Sequence, residues 1–64
     1  MVTINGIDFD VAGKTISEYI ALSDFDPRQI AVERNGDIIV KSQYATTILN
    51  DGHKLEIVSF VGGG

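Results

Sequence analysis

Two stretches near the N-terminus alternate between apolar and polar residues, which is the pattern of a half-buried β-strand. Val2-Thr3-Ile4 is the first and residues 7–11 are the second, with Asn5-Gly6 between them. A two-residue Asn-Gly connection favours a tight hairpin, because both of its central residues must adopt positive φ. The sequence therefore predicts a hairpin whose second strand turns Asp8 and Asp10 to water and three apolar residues to the core. These three residues are Ile7, Phe9 and Val11.

The next segment carries the signals of a short helix. The residues from Thr15 to Glu18 match a capping box, in which the threonine hydroxyl accepts from a backbone N–H and the glutamate side chain reaches back. Apolar residues then recur at helical spacing. They are Ile16, Tyr19, Ile20 and Leu22. A helix of about two to three turns that ends before Asp26-Pro27 is marginal alone, so we expect it to be held by packing.

The second half of the chain predicts another hairpin. Residues 30–34 alternate, and Ile30 and Val32 share one face. A second Asn-Gly, at residues 35–36, turns this strand back into residues 37–40. Residues 41–44 are expected to form a short irregular or single-turn segment.

The last predicted strand, residues 54–61, follows a turn at residues 50–53 and is the most apolar of the strands. Side chains alternate between the two faces of a strand, so Leu55 and Ile57 belong to one face. The residues of the other face are Glu56, Val58 and Phe60.

The predicted order is β-β-α-β-β-β, an α+β arrangement in which one helix packs on one face of a mixed sheet. In such a layout the first and last strands can lie parallel and adjacent at the sheet centre, which is the β-grasp, or ubiquitin-like, fold. We expect residues 1–61 to form a single domain and residues 62–64 to form a flexible tail. One face of the sheet is left uncovered.

Composition narrows the classes of function. With 64 residues the chain is one small domain, and the absence of cysteine excludes disulfides and thiolate metal sites. A net charge of −4 argues against phosphate-tracking nucleic-acid binding. The longest apolar run is far shorter than the roughly 20 residues of a membrane span, and the N-terminus lacks the pattern of a signal peptide. We therefore expect a cytoplasmic protein that does not bind membranes.

The sequence ends in "EIVSFVGGG", a strand-like run followed by three glycines. A terminal segment of this kind is often only frayed. However, glycine has no side chain, so the segment can enter a slot that excludes any Cβ, and three residues reach about 10 Å at ~3.3 Å each. A carboxylate becomes an electrophile once it is converted to an acyl adenylate. This chemistry predicts a protein that other enzymes modify at its C-terminus and that supplies no catalytic residue of its own.

The tail "FVGGG" after "DGHKLEIV", together with "VERNGDIIVKSQY", resembles the ThiS family of sulfur carriers over the whole chain. The resemblance implies that Gly64 is adenylated by an ATP-dependent, ThiF-like enzyme and becomes a thiocarboxylate. The sulfur would come from a cysteine-derived persulfide made by a cysteine desulfurase or a rhodanese-type donor, and a ThiG-like thiazole synthase would receive it. Gly62 and Gly63 would be the lead to the reactive end. The carrier itself would hold no cofactor, since ATP and the persulfide are used by its partners.

Val58 and Phe60 are predicted to lie on the uncovered face, next to Val61 and the tail. Exposed apolar side chains in that position would form a docking patch for the partner enzymes. The alternative is that Phe60 folds over the sheet edge and is simply half-buried.

Other chemistry is weakly supported. His53 lies in a turn and is expected to be exposed to solvent. Asp8 and Asp10 are expected to lie on a solvent-exposed strand face, and Asp24 and Asp26 are expected to lie at the end of the helix. The sequence contains no spacing typical of metal ligands. The small subunit of molybdopterin synthase and a ubiquitin-related modifier share the terminal chemistry, but those chains are usually longer. A non-catalytic β-grasp binding module, for example one that binds RNA, would need a basic face.

Overall fold

The computed structural model describes residues 1–60, which contain one α-helix and five strands in the order β-β-α-β-β-β. The α+β fold class is confirmed. The helix, α1, spans Ile16–Leu22, and two short 3-10 turns span Pro27–Gln29 and Lys41–Gln43. The strands are β1 Val2–Ile4, β2 Ile7–Phe9, β3 Ile30–Arg34, β4 Asp37–Ile39 and β5 Lys54–Ser59.

The strands form one sheet in the order β2-β1-β5-β3-β4. β1 and β5 pair in parallel, with Ile4 opposite Leu55, and the other neighbours are antiparallel. The last strand of the chain is therefore the central strand, as the sequence predicts. This places the C-terminal end of the domain in the middle of the sheet instead of at an edge.

Both Asn-Gly turns have the predicted backbone conformation. Asn5 and Gly6 have φ of 52° and 82°, and Asn35 and Gly36 have φ of 51° and 90°. Positive φ at both central residues matches the twist of the flanking strands. The two hairpins therefore close tightly without a longer loop.

The capping box forms as predicted. The Glu18 N–H donates to Thr15 Oγ1 at 3.1 Å, and the Thr15 N–H donates to Glu18 Oε1 at 2.8 Å. Hydrogen bonding to the backbone N–H and the side chain of Thr15 lowers the pKa of the Glu18 carboxyl. At the other end, the Ser23 hydroxyl donates to the Ile20 carbonyl at 2.7 Å and stops the helix.

The core lies between α1 and one face of the sheet, and it contains the inward residues of β1, β3 and β5 together with Ile16, Tyr19 and Ile20 of α1. Its most completely enclosed side chains are Ile4, Ile16, Leu49, Leu55, Val2 and Val32. Phe9 packs against this core and meets the ring of Tyr19 edge to face, with 5.6 Å between the centroids. Leu49 lies in the segment between the second 3-10 turn and β5.

Two residues predicted for the core are exposed. Ile7 is 61% exposed, because it follows the turn on the edge strand β2 while the helix contacts that strand at Phe9. Leu22 is 71% exposed. At 100° per residue it lies about 110° from the centre of the apolar stripe, so the helix points it away from the sheet.

Three predicted strand ends also change. β2 ends at Phe9, although the alternating pattern predicted a strand through Val11. β4 ends at Ile39, and Val40 precedes the 3-10 turn. β5 ends at Ser59, whereas the sequence predicted a strand through Val61, which lies outside the described residues. Among residues 1–60, no helix has the length and apolar character needed to cross a membrane.

Candidate functional site

The uncovered side of the sheet, here called the outer face, carries exposed apolar side chains near the end of β5. Val58 is 60% exposed and pairs with Ala31 on β3, and Phe60 is 45% exposed just beyond the strand. Ile38 on β4 is 70% exposed. Val58 and Phe60 are both exposed, as predicted, and the Phe60 side chain is about half covered.

Two carboxylates oppose each other on the outer face. Glu33 on β3 and Glu56 on β5 are direct cross-strand partners, and both are exposed. Like charges in this position are destabilising. The ion pairs found within residues 1–60 are Met1–Asp51 and Arg28–Asp26, so neither glutamate is neutralised by a salt bridge there. The outer face thus combines apolar side chains with two carboxylates that form no salt bridge within residues 1–60, which fits a partner with a basic, partly apolar surface.

The position of β5 is fixed by side chains from both hairpin turns. Asn5 Nδ2 donates to the Ile57 carbonyl at 3.0 Å, and the Ile57 N–H donates to Asn5 Oδ1 at 2.7 Å. On the other side, Asn35 Oδ1 accepts from the Lys54 N–H at 3.0 Å. Each turn asparagine therefore supports a tight hairpin and also binds the main chain of the central strand.

The main chain continues in register after β5 ends. The Phe60 N–H donates to the Gln29 carbonyl at 2.9 Å, so the last described residue is still aligned with the sheet. Val61, Gly62, Gly63 and Gly64 lie outside the described residues. Their roles as docking residue, lead and reactive end stay predictions.

A shallow cavity of about 390 Å³ lies beside the end of β5, on the helix side of the sheet. It is lined by Asp24, Phe25 and Ser59. The Phe25 N–H donates to the Ser23 hydroxyl at 3.1 Å, which holds this loop against the helix end. The cavity places concave surface next to the point where the chain leaves the sheet.

Two other titratable side chains, His53 and Asp26, form hydrogen bonds within turns. His53 Nδ1 accepts from the Asn50 N–H at 3.1 Å and so closes the last turn. Asp26 accepts from the main chain and guanidinium of Arg28, and these hydrogen bonds lower its pKa. Within residues 1–60, no cluster of three or more potential ligands could hold a metal ion. We assign these groups to turns and caps.

A helix on one face of a mixed five-stranded sheet, a parallel central pair and an open opposite face define a ubiquitin-like β-grasp domain. The model of the ThiS family matches residues 2–64. The chain therefore belongs to the ThiS family.

Similar proteins support the assignment. The chain is 42% identical over 50 residues to the sulfur carrier protein ThiS of Bacillus subtilis, covering 78% of this chain and 76% of that protein. The crystal structure of the thiamine biosynthesis protein ThiS from Geobacter metallireducens superimposes with a TM-score of 0.77 at 30% identity, over 98% of this chain and 97% of that one.

A third similarity involves a much larger protein. A thiazole synthase of Paramagnetospirillum magneticum is 49% identical over 53 residues, which cover 83% of this chain. The matched segment spans only 16% of that thiazole synthase. Thus a segment similar to this chain occurs within a longer polypeptide that carries the name of a thiazole-forming enzyme.

Proposed function

We propose that this protein is a sulfur carrier whose Gly64 carboxylate becomes a thiocarboxylate and supplies sulfur to a thiazole synthase in thiamin biosynthesis. The observation that carries the proposal is the match of the ThiS family model across residues 2–64, which includes the terminal glycines. The similarity to a thiazole synthase supports the identity of the acceptor.

The chemistry takes place at the terminal carboxyl. An ATP-dependent, ThiF-like enzyme joins the carboxylate oxygen to the α-phosphorus of ATP, and pyrophosphate leaves. A cysteine-derived persulfide then attacks the acyl carbon, and AMP leaves. A thiol cleaves the resulting acyl disulfide, which releases the thiocarboxylate and oxidises the thiols to a disulfide. ATP and the persulfide bind to the partner enzymes, and this chain contributes only its carboxyl group.

The folded domain contributes recognition. Val58 and Phe60 are exposed on the outer face immediately before the tail, and we assign them, with Val61, to partner docking. Central buried apolar contacts provide most of the affinity at such interfaces. Gly62 and Gly63 follow these residues in the sequence and have no side chains, so they suit a narrow active-site channel.

Intact-mass analysis tests the proposal. The chain is incubated with ATP, the adenylating enzyme, a cysteine desulfurase, cysteine and a thiol reductant. We expect the mass change of one oxygen replaced by sulfur, localised to Gly64, and thiazole formation when thiazole synthase and its other substrates are added. A variant that lacks Gly63 and Gly64 should fold but acquire no sulfur. An unchanged mass in the full chain under conditions that load a known ThiS protein would contradict the proposal.

A further inference from the structure

The main-chain polar groups of β5 alternate between its two neighbours. Asn35 N–H donates to the Lys54 carbonyl at 2.8 Å, and Phe60 N–H donates to the Gln29 carbonyl at 2.9 Å. In an antiparallel ladder, hydrogen-bonded and non-hydrogen-bonded pairs alternate. The even-numbered residues of β5 therefore turn their N–H and C=O groups to β3. The odd-numbered residues turn theirs to the side of β1.

On that side, β1 ends before β5 does. The Leu55 carbonyl accepts from the Asn5 N–H at 2.9 Å, and the next odd residue, Ile57, is bound by the Asn5 side chain. The chain then reverses at Asn5-Gly6 into β2. The Asn5 side-chain amide thus binds the main chain of Ile57 in place of a further residue of β1, and it does so for this one residue only.

Ser59 is the next odd-numbered residue, and it lies opposite Ile30 on β3. Its main-chain N–H and C=O groups face away from β3. Within the part of the chain that the structure describes, no strand lies beside it on the β1 side, and Ser59 is exposed. We call these two main-chain groups the Ser59 edge. An unpaired N–H and C=O at the end of a strand are a template for another strand.

We propose that an extended segment of thiazole synthase adds to the sheet at the Ser59 edge by main-chain hydrogen bonding. This inference rests on the proposed function. The edge is continuous with the tail, since Gly64 lies five residues beyond Ser59, a chain length of at most about 18 Å. The active site that receives Gly64 therefore lies within about 18 Å of Ser59, so a segment at its mouth is within reach of the edge.

The chemistry of the edge favours this occupant. Strand addition obtains affinity from main-chain hydrogen bonds and specificity from adjacent side chains. Here those side chains are Val58 on the outer face and Phe25 in the cavity on the opposite face. A second copy of this chain would offer only an equally short edge and would repeat the negative charge of Glu33 and Glu56. Among the similar proteins, a thiazole synthase contains a related segment in its own polypeptide.

Amide hydrogen exchange of the unmodified protein tests the proposal directly. In the free chain the Ser59 N–H should exchange rapidly, whereas the Phe60 N–H, bonded to Gln29, should be protected. Saturation with thiazole synthase should slow the Ser59 exchange at least about tenfold. The Asp8 N–H, which faces away from β1 on the far sheet edge, is the control and should not change. A Ser59 amide that exchanges equally fast in the complex would overturn the inference.

A pair of variants gives an independent test. Ser59→Pro removes the N–H at a position where an edge strand tolerates proline, and Ser59→Ala keeps it. Because one hydrogen bond is at stake, the proline variant should bind thiazole synthase about three- to tenfold more weakly, and the alanine variant should bind like the parent. Equal affinity of the two, with melting curves like the parent's, would contradict the proposal. If Gly64 acquires sulfur but Ser59 stays unprotected, only the strand addition fails; if Gly64 acquires none, the sulfur-carrier function itself fails.

Discussion

The side-chain amide of Asn5 and the main chain of Ile57, 52 residues apart in sequence, exchange two hydrogen bonds of 3.0 and 2.7 Å. Through this contact the first hairpin fixes the central strand three residues before Phe60. The second hairpin does the same at Lys54 through Asn35. The position of the central strand is thus fixed by two turns that are distant from it in sequence.

Replacement of Asn5 tests this contact. Asn5→Gly keeps a residue that accepts positive φ but removes both side-chain hydrogen bonds to Ile57. At about 0.5–1.5 kcal/mol for each bond, we expect a loss of about 1–3 kcal/mol in the free energy of unfolding, measured with urea. Asn35→Gly is the matched control, because it removes only the side-chain bond to Lys54 and should cost less. A larger loss in the Asn35 variant would refute the role given to Asn5.

Truncation of Phe60 tests the docking patch. Since this side chain is 45% exposed, Phe60→Ala should change the free energy of unfolding by less than about 1 kcal/mol. It should weaken binding to the adenylating enzyme or to thiazole synthase about tenfold or more. Leu22→Ala removes an apolar side chain that is 71% exposed on the helix and should leave binding unchanged. A strongly destabilised Phe60 variant with unchanged binding would place this residue in the core instead.

For the cross-strand pair Glu33 and Glu56 we expect a substitution to increase stability. Glu56→Gln removes the repulsion from Glu33 and should stabilise the domain by about 0.2–1 kcal/mol at low salt. The gain should shrink as salt is added, because exposed charges are screened. Glu18→Gln, which alters a carboxylate held by the helix cap, should bring no such gain. If Glu56→Gln destabilises the fold at low salt, the two carboxylates are not repelling each other.

Stability should fall in acid. The pKa values of Glu18 and Asp51 are lowered by hydrogen bonds from Thr15 and from the N-terminal ammonium. A lowered folded-state pKa gives stability that is present above the unfolded value, 4.5 for Glu18 and 3.8 for Asp51, and that is lost as the pH falls through the folded value. Urea midpoints measured from pH 7 down to pH 2 should decrease, and the decrease should be smaller in Glu18→Gln. Equal acid sensitivity of that variant would argue against the cap as a source of the effect.

Stability should also fall in alkali, for the opposite reason. The Asp51 side chain raises the pKa of the Met1 ammonium above 8.0. The stability from this contact is present below pH 8.0 and is lost as the pH rises through the raised folded-state value. N-terminal acetylation should remove this alkaline loss, which thermal melting between pH 7 and 10 would measure. An acetylated chain that loses as much stability as the free one would show that the contact contributes nothing.

Local signals in the sequence account for much of the fold. The capping box from Thr15 to Glu18, both Asn-Gly turns and the bounds of β3 were predictable, because each depends on neighbouring residues. Ile7 and Leu22 were misassigned, because periodicity gives the face of a residue but not how far the covering layer extends. Ile7 is exposed because it lies on the edge strand β2, and Leu22 is exposed because it lies at the end of the short helix.

The site was predictable only in part. The exposure of Val58 and Phe60 follows from alternation along one strand. The contact of Asn5 with Ile57 was missed, because an Asn-Gly turn explains its asparagine fully by backbone conformation. The opposition of Glu33 and Glu56 depends on the register between two strands that are not consecutive in sequence. Neither feature has a local signal.

The most direct measurement of the central claim compares the chain with a variant that carries one extra alanine after Gly64, both treated with ATP, the adenylating enzyme and a persulfide source. The account predicts that mass spectrometry finds one sulfur in place of one oxygen at Gly64 of the parent and none in the extended chain, and that only the parent supports thiazole formation. Equal sulfur loading and equal thiazole yield from the extended chain would contradict it.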